Sequence, residues 1–140
     1  MAWDFKERPE LWNSVVDFYY WDSPHKQIFE DFTAKVVKVH DGDTITVQWA
    51  ERSFDFPVRL LGIDAPELNA GGEASKQWLE QLLLDKEVDV LIDPEERVGK
   101  WGRILGTVMA DGLNVNELSV SEGMSVPFDR REELGFTAAA

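Results

Sequence analysis

The sequence contains no cysteine. A disulfide scaffold, a thiolate metal site and a cysteine nucleophile are therefore excluded, and oxygen and imidazole are the ligands that remain. Imidazole is scarce as well, with two histidines in 140 residues. Carboxylates must carry any metal binding, and His25 and His40 read as ordinary hydrogen-bonding side chains. Bases are in deficit, fourteen Lys and Arg against twenty-seven Asp and Glu, for a formal charge of -13. A field of that sign repels polyanions at a distance, which argues against a nonspecific nucleic-acid coat protein. It leaves room for a local grip on phosphate, because salt screens long-range fields within about 8–10 Å while close contacts persist. No stretch approaches the roughly 18 uncharged apolar residues of a membrane span. The opening Met1-Ala2-Trp3-Asp4-Phe5-Lys6-Glu7-Arg8 lacks the basic region and apolar run of a secretion signal. The expected location is the cytoplasm or a particle assembled there, without membrane contact.

What is present falls into three stretches, expected as an aromatic-rich N-terminal arm (1–32), a β-rich domain (33–128) and a C-terminal tail (129–140). Nine of the sixteen aromatics and seven acids against three bases lie before Thr33. Pro9 at a possible first helical position, followed by Trp12, Val15, Val16, Tyr19 and Tyr20 on one stripe, predicts an amphipathic helix of about three turns. From Thr33 the pattern turns to strands. Ala34-Lys35-Val36-Val37-Lys38-Val39 and Thr44-Ile45-Thr46-Val47-Gln48-Trp49 flank an Asp41-Gly42-Asp43 turn and predict a hairpin. A third run covers residues 54–63, with Pro57 pointing to an edge or a bulge. Ala74, Trp78, Leu79, Leu82 and Leu83 recur at helical spacing after Gly71-Gly72. Strands follow at 88–92 and 103–110, and Asn114 caps a short helix stopped by Gly123. This order predicts a mainly β, α+β fold: a five-stranded antiparallel OB-type barrel with a helix between the third and fourth strands, a short C-terminal helix and the N-terminal helical arm.

Polar groups concentrate at three strand ends: His40-Asp41-Gly42-Asp43-Thr44, Val58-Arg59-Leu60-Leu61-Gly62-Ile63-Asp64-Ala65-Pro66-Glu67, and Gly99-Lys100-Trp101-Gly102-Arg103. Each has a structural explanation on its own. Asp41 and Asp43 suit a tight turn, Arg59 suits a buried ion pair, 64–67 a solvated loop, and Arg103 a charged strand edge. Together they match a different set of needs. Carboxylates plus a carbonyl suit a hard cation such as Ca²⁺. Two arginines suit a phosphate, which their planar forks bind through paired hydrogen bonds. A further carboxylate suits a general base for water. All three meet in metal-assisted phosphodiester hydrolysis.

Those segments, with the Gly72-Glu73-Ala74-Ser75 helix start and Asp111-Gly112-Leu113-Asn114-Val115-Asn116, resemble the staphylococcal nuclease-like (thermonuclease) domain family over residues 33 to about 126. The resemblance implies an OB-type barrel, one Ca²⁺, and endonucleolytic cleavage of DNA and RNA leaving 3′-phosphates, with single-stranded or flexible nucleic acid as substrate. It makes Asp43 and Asp64 direct metal carboxylates, the Ala65 carbonyl a further ligand, and Asp41 a ligand through water. Glu67 matches the general base, Arg59 and Arg103 the phosphate-holding pair, and Lys100 and Trp101 positions that contact the nucleotide. Three differences from the family pattern stand out. Ala65 replaces a common Thr, the segment from Glu67 to the helix is short (68–72), and the chain ends soon after Phe128, which stands near the position of a nucleotide-stacking tyrosine. The aromatic arm supports an alternative: a non-catalytic or dual-role structural subunit of a larger assembly such as a phage particle, docked through residues 1–32.

Overall fold

A computed structural model describes residues 2–129; residues 130–140, nearly all of the expected tail, lie outside the described residues. Strand β1 (Phe32–Asp41) pairs antiparallel with β2 (Thr44–Gln48) through its second half and with β5 (Glu87–Leu91) through its first. The inward residues of β1 explain how one strand serves both neighbours. Phe32, Ala34 and Val36 are buried at even positions, then Val39 is buried at an odd one. The register with β2 shifts between Val36 and Lys38, and the extra residue of that bulge switches the inward parity and bends the strand.

β2 pairs with β3 (Phe56–Leu60), and β5 pairs with β6 (Ile104–Ala110). The barrel closes where β3 meets β6 in parallel, at Val58↔Ile104, Arg59↔Leu105 and Leu60↔Gly106. Five strands make this parallel pair unavoidable, because alternation of direction around a ring with an odd number of members must fail once. The OB-type barrel expected from the sequence is thus present, with one mixed seam in place of a wholly antiparallel wall. Pro57 opposes Thr46 in β2, and β6 begins to pair only at Val58. The missing N–H of Pro57 therefore costs the closing seam nothing.

The barrel interior is filled by Val36, Ile45, Val47, Val58, Leu60, Val90, Ile104 and Val108, each essentially inaccessible. Burial of one such side chain stabilises the fold by about 1.5–3 kcal/mol. Helix α2 (Glu73–Leu83) caps this core with Leu79 and Leu83. Two short pairs complete the sheet elements: β7 (Leu113–Asn114) extends β6, and β4 (Ile63–Asp64) pairs with β8 (Val126–Pro127). Asn114 caps α3 (Val115–Ser121) as expected, its Oδ1 accepting the Glu117 N–H at 3.1 Å. Buried Asn116 then donates to the carbonyls of Leu61 and Gly106 and accepts from the Val108 N–H, which fixes the turn after β3 against β6.

The arm departs from the expected helix. Helix α1 is a single turn (Val16–Tyr19) followed by a 3-10 turn (Tyr20–Asp22), and no residue of either is buried. Ahead of β1 the buried arm residues are instead Glu10, Leu11, Gln27 and Ile28. The Pro9 carbonyl accepts from Gln27 Nε2 and the Leu11 carbonyl from Arg97 Nη1, at 2.8 and 2.6 Å. Carbonyls that a helix would use internally are thereby committed elsewhere, that of Pro9 to a later part of the arm and that of Leu11 to the domain. Glu10 pairs with both Arg52 and Arg97. No helix of the described residues is long and apolar enough to cross a membrane.

Candidate active site

The β1–β2 turn sits deep because glycine lets it. A Cβ on Gly42 would lie 2.7 Å from the Cβ atoms of both Ala65 and Ser75, a separation real Cβ atoms do not tolerate. Ser75 is itself buried near the start of α2 and donates to the Met124 carbonyl at 2.6 Å. Hairpin, post-β4 segment and helix start are therefore in contact at this point, and the carboxylates of the turn are carried to Asp64.

Asp43 is the best-held of them. Its Oδ2 accepts the Ala65 N–H at 3.0 Å and its Oδ1 accepts the Thr44 hydroxyl at 3.0 Å. The Asp43 N–H donates to Asp41 Oδ1 at 3.0 Å. Burial alone would raise the Asp43 carboxyl. Hydrogen bonding from Asp41, the Ala65 N–H, the Arg59 charge and the Thr44 hydroxyl outweigh it, and the group is held below its usual value. Asp41 goes the other way: burial raises it, and its hydrogen bond to Asp43 adds to the rise. Burial also raises half-exposed Asp64, helped by the Asp43 charge and opposed by Arg59.

Arg59 stands opposite Thr44 in the β2–β3 register, and its side chain is buried with Nη2 3.8 Å from Asp43 Oδ2 and 3.5 Å from Asp64 Oδ1. Nη1 donates to the carbonyls of Ile63 and Leu60 at 3.0 and 3.2 Å. Phe128 lies 5.5 Å from the guanidinium carbon. Arg103, half-buried immediately before β6, donates from Nη1 to Thr44 Oγ1 at 3.4 Å. The Thr44 hydroxyl thus touches both Asp43 and Arg103, a link that went unassigned in the sequence. The parallel seam is what sets the two arginines on neighbouring strands.

The remaining expected residues sit further out. Glu67 is exposed, with no hydrogen bond or ion pair to its side chain among the described residues, although its charge raises Asp64. Its carbonyl accepts from Ala70 and Gly72, which shapes the short connection into α2. Lys100 and Trp101 occupy the exposed tip of a tight hairpin formed by the Val98↔Ile104 bridge and the Gly99–Arg103 hydrogen bond. Lys100 Nζ lies 5.7 Å from the Trp101 ring. His25 bonds the Pro9 carbonyl, away from the carboxylates.

Among the described residues, no three His, Asp or Glu side chains gather as a metal-binding group. The donors that do converge are two carboxylates, Asp43 and Asp64, facing one guanidinium nitrogen. Oxygen-only donors aimed at a positive charge fit a hard cation whose remaining positions are filled by water and backbone oxygen. The same cluster, with two arginines alongside, can bind a phosphate and stabilise added negative charge on it.

A family model described as staphylococcal nuclease homologue matches residues 57–136. Arg59, Asp64, Glu67, Lys100, Trp101 and Arg103 fall inside that match, whereas Asp41 and Asp43 precede it. A micrococcal nuclease of Shigella flexneri is 38% identical over 105 residues, covering 68% of this chain and 58% of the relative. An uncharacterized endonuclease of Haemophilus influenzae is 36% identical over 97 residues, covering 69% and 52%. An uncharacterized protein of Bacillus anthracis is 33% identical over 105 residues, covering 69% and 48%. The chain spans about half the length of the curated relatives it matches. Barrel, family match and these relatives agree: the chain belongs to the staphylococcal nuclease homologue family.

Proposed function

We propose that the protein is a calcium-dependent endonuclease that hydrolyses phosphodiester bonds of single-stranded or flexible DNA and RNA by attack of water, leaving 3′-phosphates. The observation that carries this reading is the convergence of Asp43 and Asp64 on Arg59 beside Arg103. Asp43, Asp64 and the Ala65 carbonyl would hold Ca²⁺, with Asp41 joined through water, and the bound ion would polarise the scissile phosphate. Arg59 and Arg103 bind the phosphate and take up the charge that grows on it in the transition state. Arg59 is preorganised for this task by its bonds to Ile63 and Leu60. Glu67, solvated and free of partners among the described residues, accepts the proton of the attacking water. Lys100 and Trp101 hold the nucleotide through charge and stacking. The domain at work is 33–128.

Incubation with single-stranded DNA and RNA, in Ca²⁺ and then in EDTA, tests the reading. Cleavage in Ca²⁺ alone, with 3′-phosphate ends and its loss in Glu67→Gln, supports it. An inert wild-type protein overturns it.

A second reading is favoured by the arm. Phe18 and Trp21 are 77% and 91% exposed, and Trp21 lies edge-on to exposed Tyr20, so neighbouring rings of the arm face water together. Residues 1–32 would then dock the protein into a particle, with or without catalysis. Co-migration with a large assembly that Trp21→Ser abolishes supports this reading, and a wild-type protein that stays monomeric in extracts of its source overturns it.

A further inference from the structure

The hairpin that presents Lys100, Trp101 and Arg103 is gripped by the arm. Trp12 Nε1 donates to the Gly99 carbonyl at 3.0 Å, and Asn13 Nδ2 to the Pro94 carbonyl at 2.9 Å. Arg97, one strand-residue from the bridge, donates to Leu11, Asn13 and Glu10 of the arm. This grip delivers a further cation to the tip. The Arg8 N–H donates to the Asp4 carbonyl at 2.9 Å, and the Arg8 carbonyl accepts from Trp3 Nε1 at 2.7 Å. Its guanidinium lies 5.0 Å over the Trp12 ring, and its Cγ is 3.7 Å from where a Cβ on Gly102 would be. Gly102 separates Trp101 from Arg103, so Arg8 flanks the turn between an indole that is 71% exposed and a candidate phosphate ligand.

Charge makes this placement informative. Acids are nearly twice as numerous as bases, and Lys26 pairs with Glu51 and Lys86 with Asp111, whereas Lys35, Lys38 and Lys76 stand apart from one another without such a pair among the described residues. What sets the hairpin apart is that its unpaired cations are gathered. Arg8, Lys100 and Arg103 have no carboxylate partner among the described residues. Three such cations around one exposed indole match the needs of a single strand, whose phosphates seek positive charge and whose bases seek a flat ring.

We propose that Arg8 binds a phosphate of the nucleic-acid strand next to the one held by Arg103, which makes the N-terminal arm part of the substrate-binding surface. The proposal rests on the nuclease reading and adds a contact from outside the family-matched residues 57–136. Arg8 is exposed, so its replacement leaves the fold intact.

The test is the salt dependence of binding. A fluorescein-labelled oligothymidylate of about 12 nucleotides is titrated with protein in EDTA at a series of salt concentrations. Each phosphate contact to a single strand contributes about 0.7 to the slope of log K against log salt. Arg8→Ala should lower the slope by about 0.7 and weaken binding several-fold at low salt, while Arg8→Lys keeps the slope and both melt like wild type. A weaker complex with an unchanged slope, or no binding by the wild type, overturns the proposal. Parallel cleavage assays in Ca²⁺ separate the two readings. An active enzyme with an Arg8-independent slope removes Arg8 alone, and an inactive protein with an Arg8-dependent slope removes the nuclease and leaves the contact standing.

Discussion

The backbone N–H of Ala65 donates to Asp43 Oδ2 at 3.0 Å, across 22 residues of sequence. Through this bond a carboxylate on the first hairpin is fixed to the segment that carries Asp64. Asp43 therefore serves both fold and site, while Asp41 and Asp64 remain carboxylates whose burial is poorly compensated.

That imbalance would give a bound cation leverage over stability. Ca²⁺ bound only by the folded state should raise the melting temperature in a concentration-dependent way. Asp43→Ala should lower the melting temperature in EDTA, because the Ala65 N–H and Thr44 hydroxyl lose their acceptor, and should abolish the Ca²⁺ response. A melting curve that ignores millimolar Ca²⁺ in the wild type would count against the site.

The two arginines should respond differently to the same substitution. Arg59→Lys loses donors to Ile63 and Leu60 in a buried position, so about 1–3 kcal/mol of stability should go with the paired phosphate geometry. Arg103→Lys gives up one long contact to Thr44 and should melt close to wild type. Cleavage should fall by orders of magnitude in both. Near-wild-type rates in either variant, measured on single-stranded DNA, would remove that arginine from the reaction.

Gly42 and Gly112 offer a steric comparison. Gly112 has φ +80 and open space around it, so Gly112→Ala should cost about 1–2 kcal/mol from backbone strain alone. Gly42→Ala drives a methyl into Ala65 and Ser75 and should destabilise by about 1–3 kcal/mol through overpacking, with loss of the Ca²⁺ response. Adding Ala65→Gly should restore part of the stability of Gly42→Ala and nothing in Gly112→Ala. Equal rescue of both, read from urea midpoints, refutes the packing account.

Asp41 sets the sign of the pH dependence. Its folded value is raised above the ordinary 3.8 by burial and by Asp43. Its contribution to stability is thus full below the unfolded value and is lost as pH rises through the folded one. The lowered Asp43 does the reverse, its contribution being present above the unfolded value and lost as pH falls through the folded one. In EDTA, Asp41→Asn should remove a decline in melting temperature on going from about pH 4 to pH 7. Identical pH profiles for variant and wild type would show that the Asp41 charge costs the fold nothing.

Glu10 is the counter-charge of two buried arginines, Arg52 and Arg97, whose burial lowers both to about 10. Glu10→Ala should cost about 3–5 kcal/mol by stranding them, and removal of residues 1–31 should yield an aggregating domain. A truncated domain that stays monomeric with native circular dichroism would show the arm to be dispensable for folding.

The legible parts of this molecule were those written in adjacent residues. Strand alternation, the Asp41-Gly42-Asp43 turn, the Asn114 cap and the stripe of α2 all follow from neighbours a few positions apart. The candidate site was legible as three polar strand ends because each adjoins an apolar strand run, 36–39, 58–63 and 104–108. The arm's helix is shorter than its stripe predicts for the opposite reason. Its helical stripe of Trp12, Val15, Val16, Tyr19 and Tyr20 competes with Arg97 and Gln27, which claim the carbonyls of Leu11 and Pro9 from 86 and 18 residues away. Glu10 looks like one more surface acid until the fold sets Arg52 and Arg97 around it. The β1 bulge hides in the run Val36-Val37, where two adjacent apolar residues fit either parity.

The Glu10–Arg97 pair joins residues 87 positions apart. A ribosome adding about 5–20 residues per second releases Arg97 roughly 4–17 seconds after Glu10. Throughout that interval the arm, with its rings and with Arg52 as the one counter-charge of Glu10 yet made, has an incomplete site to enter. Nascent chains therefore carry this aromatic segment unseated until the turn after β5 has been made, and the time at which the arm seats is governed by elongation rate.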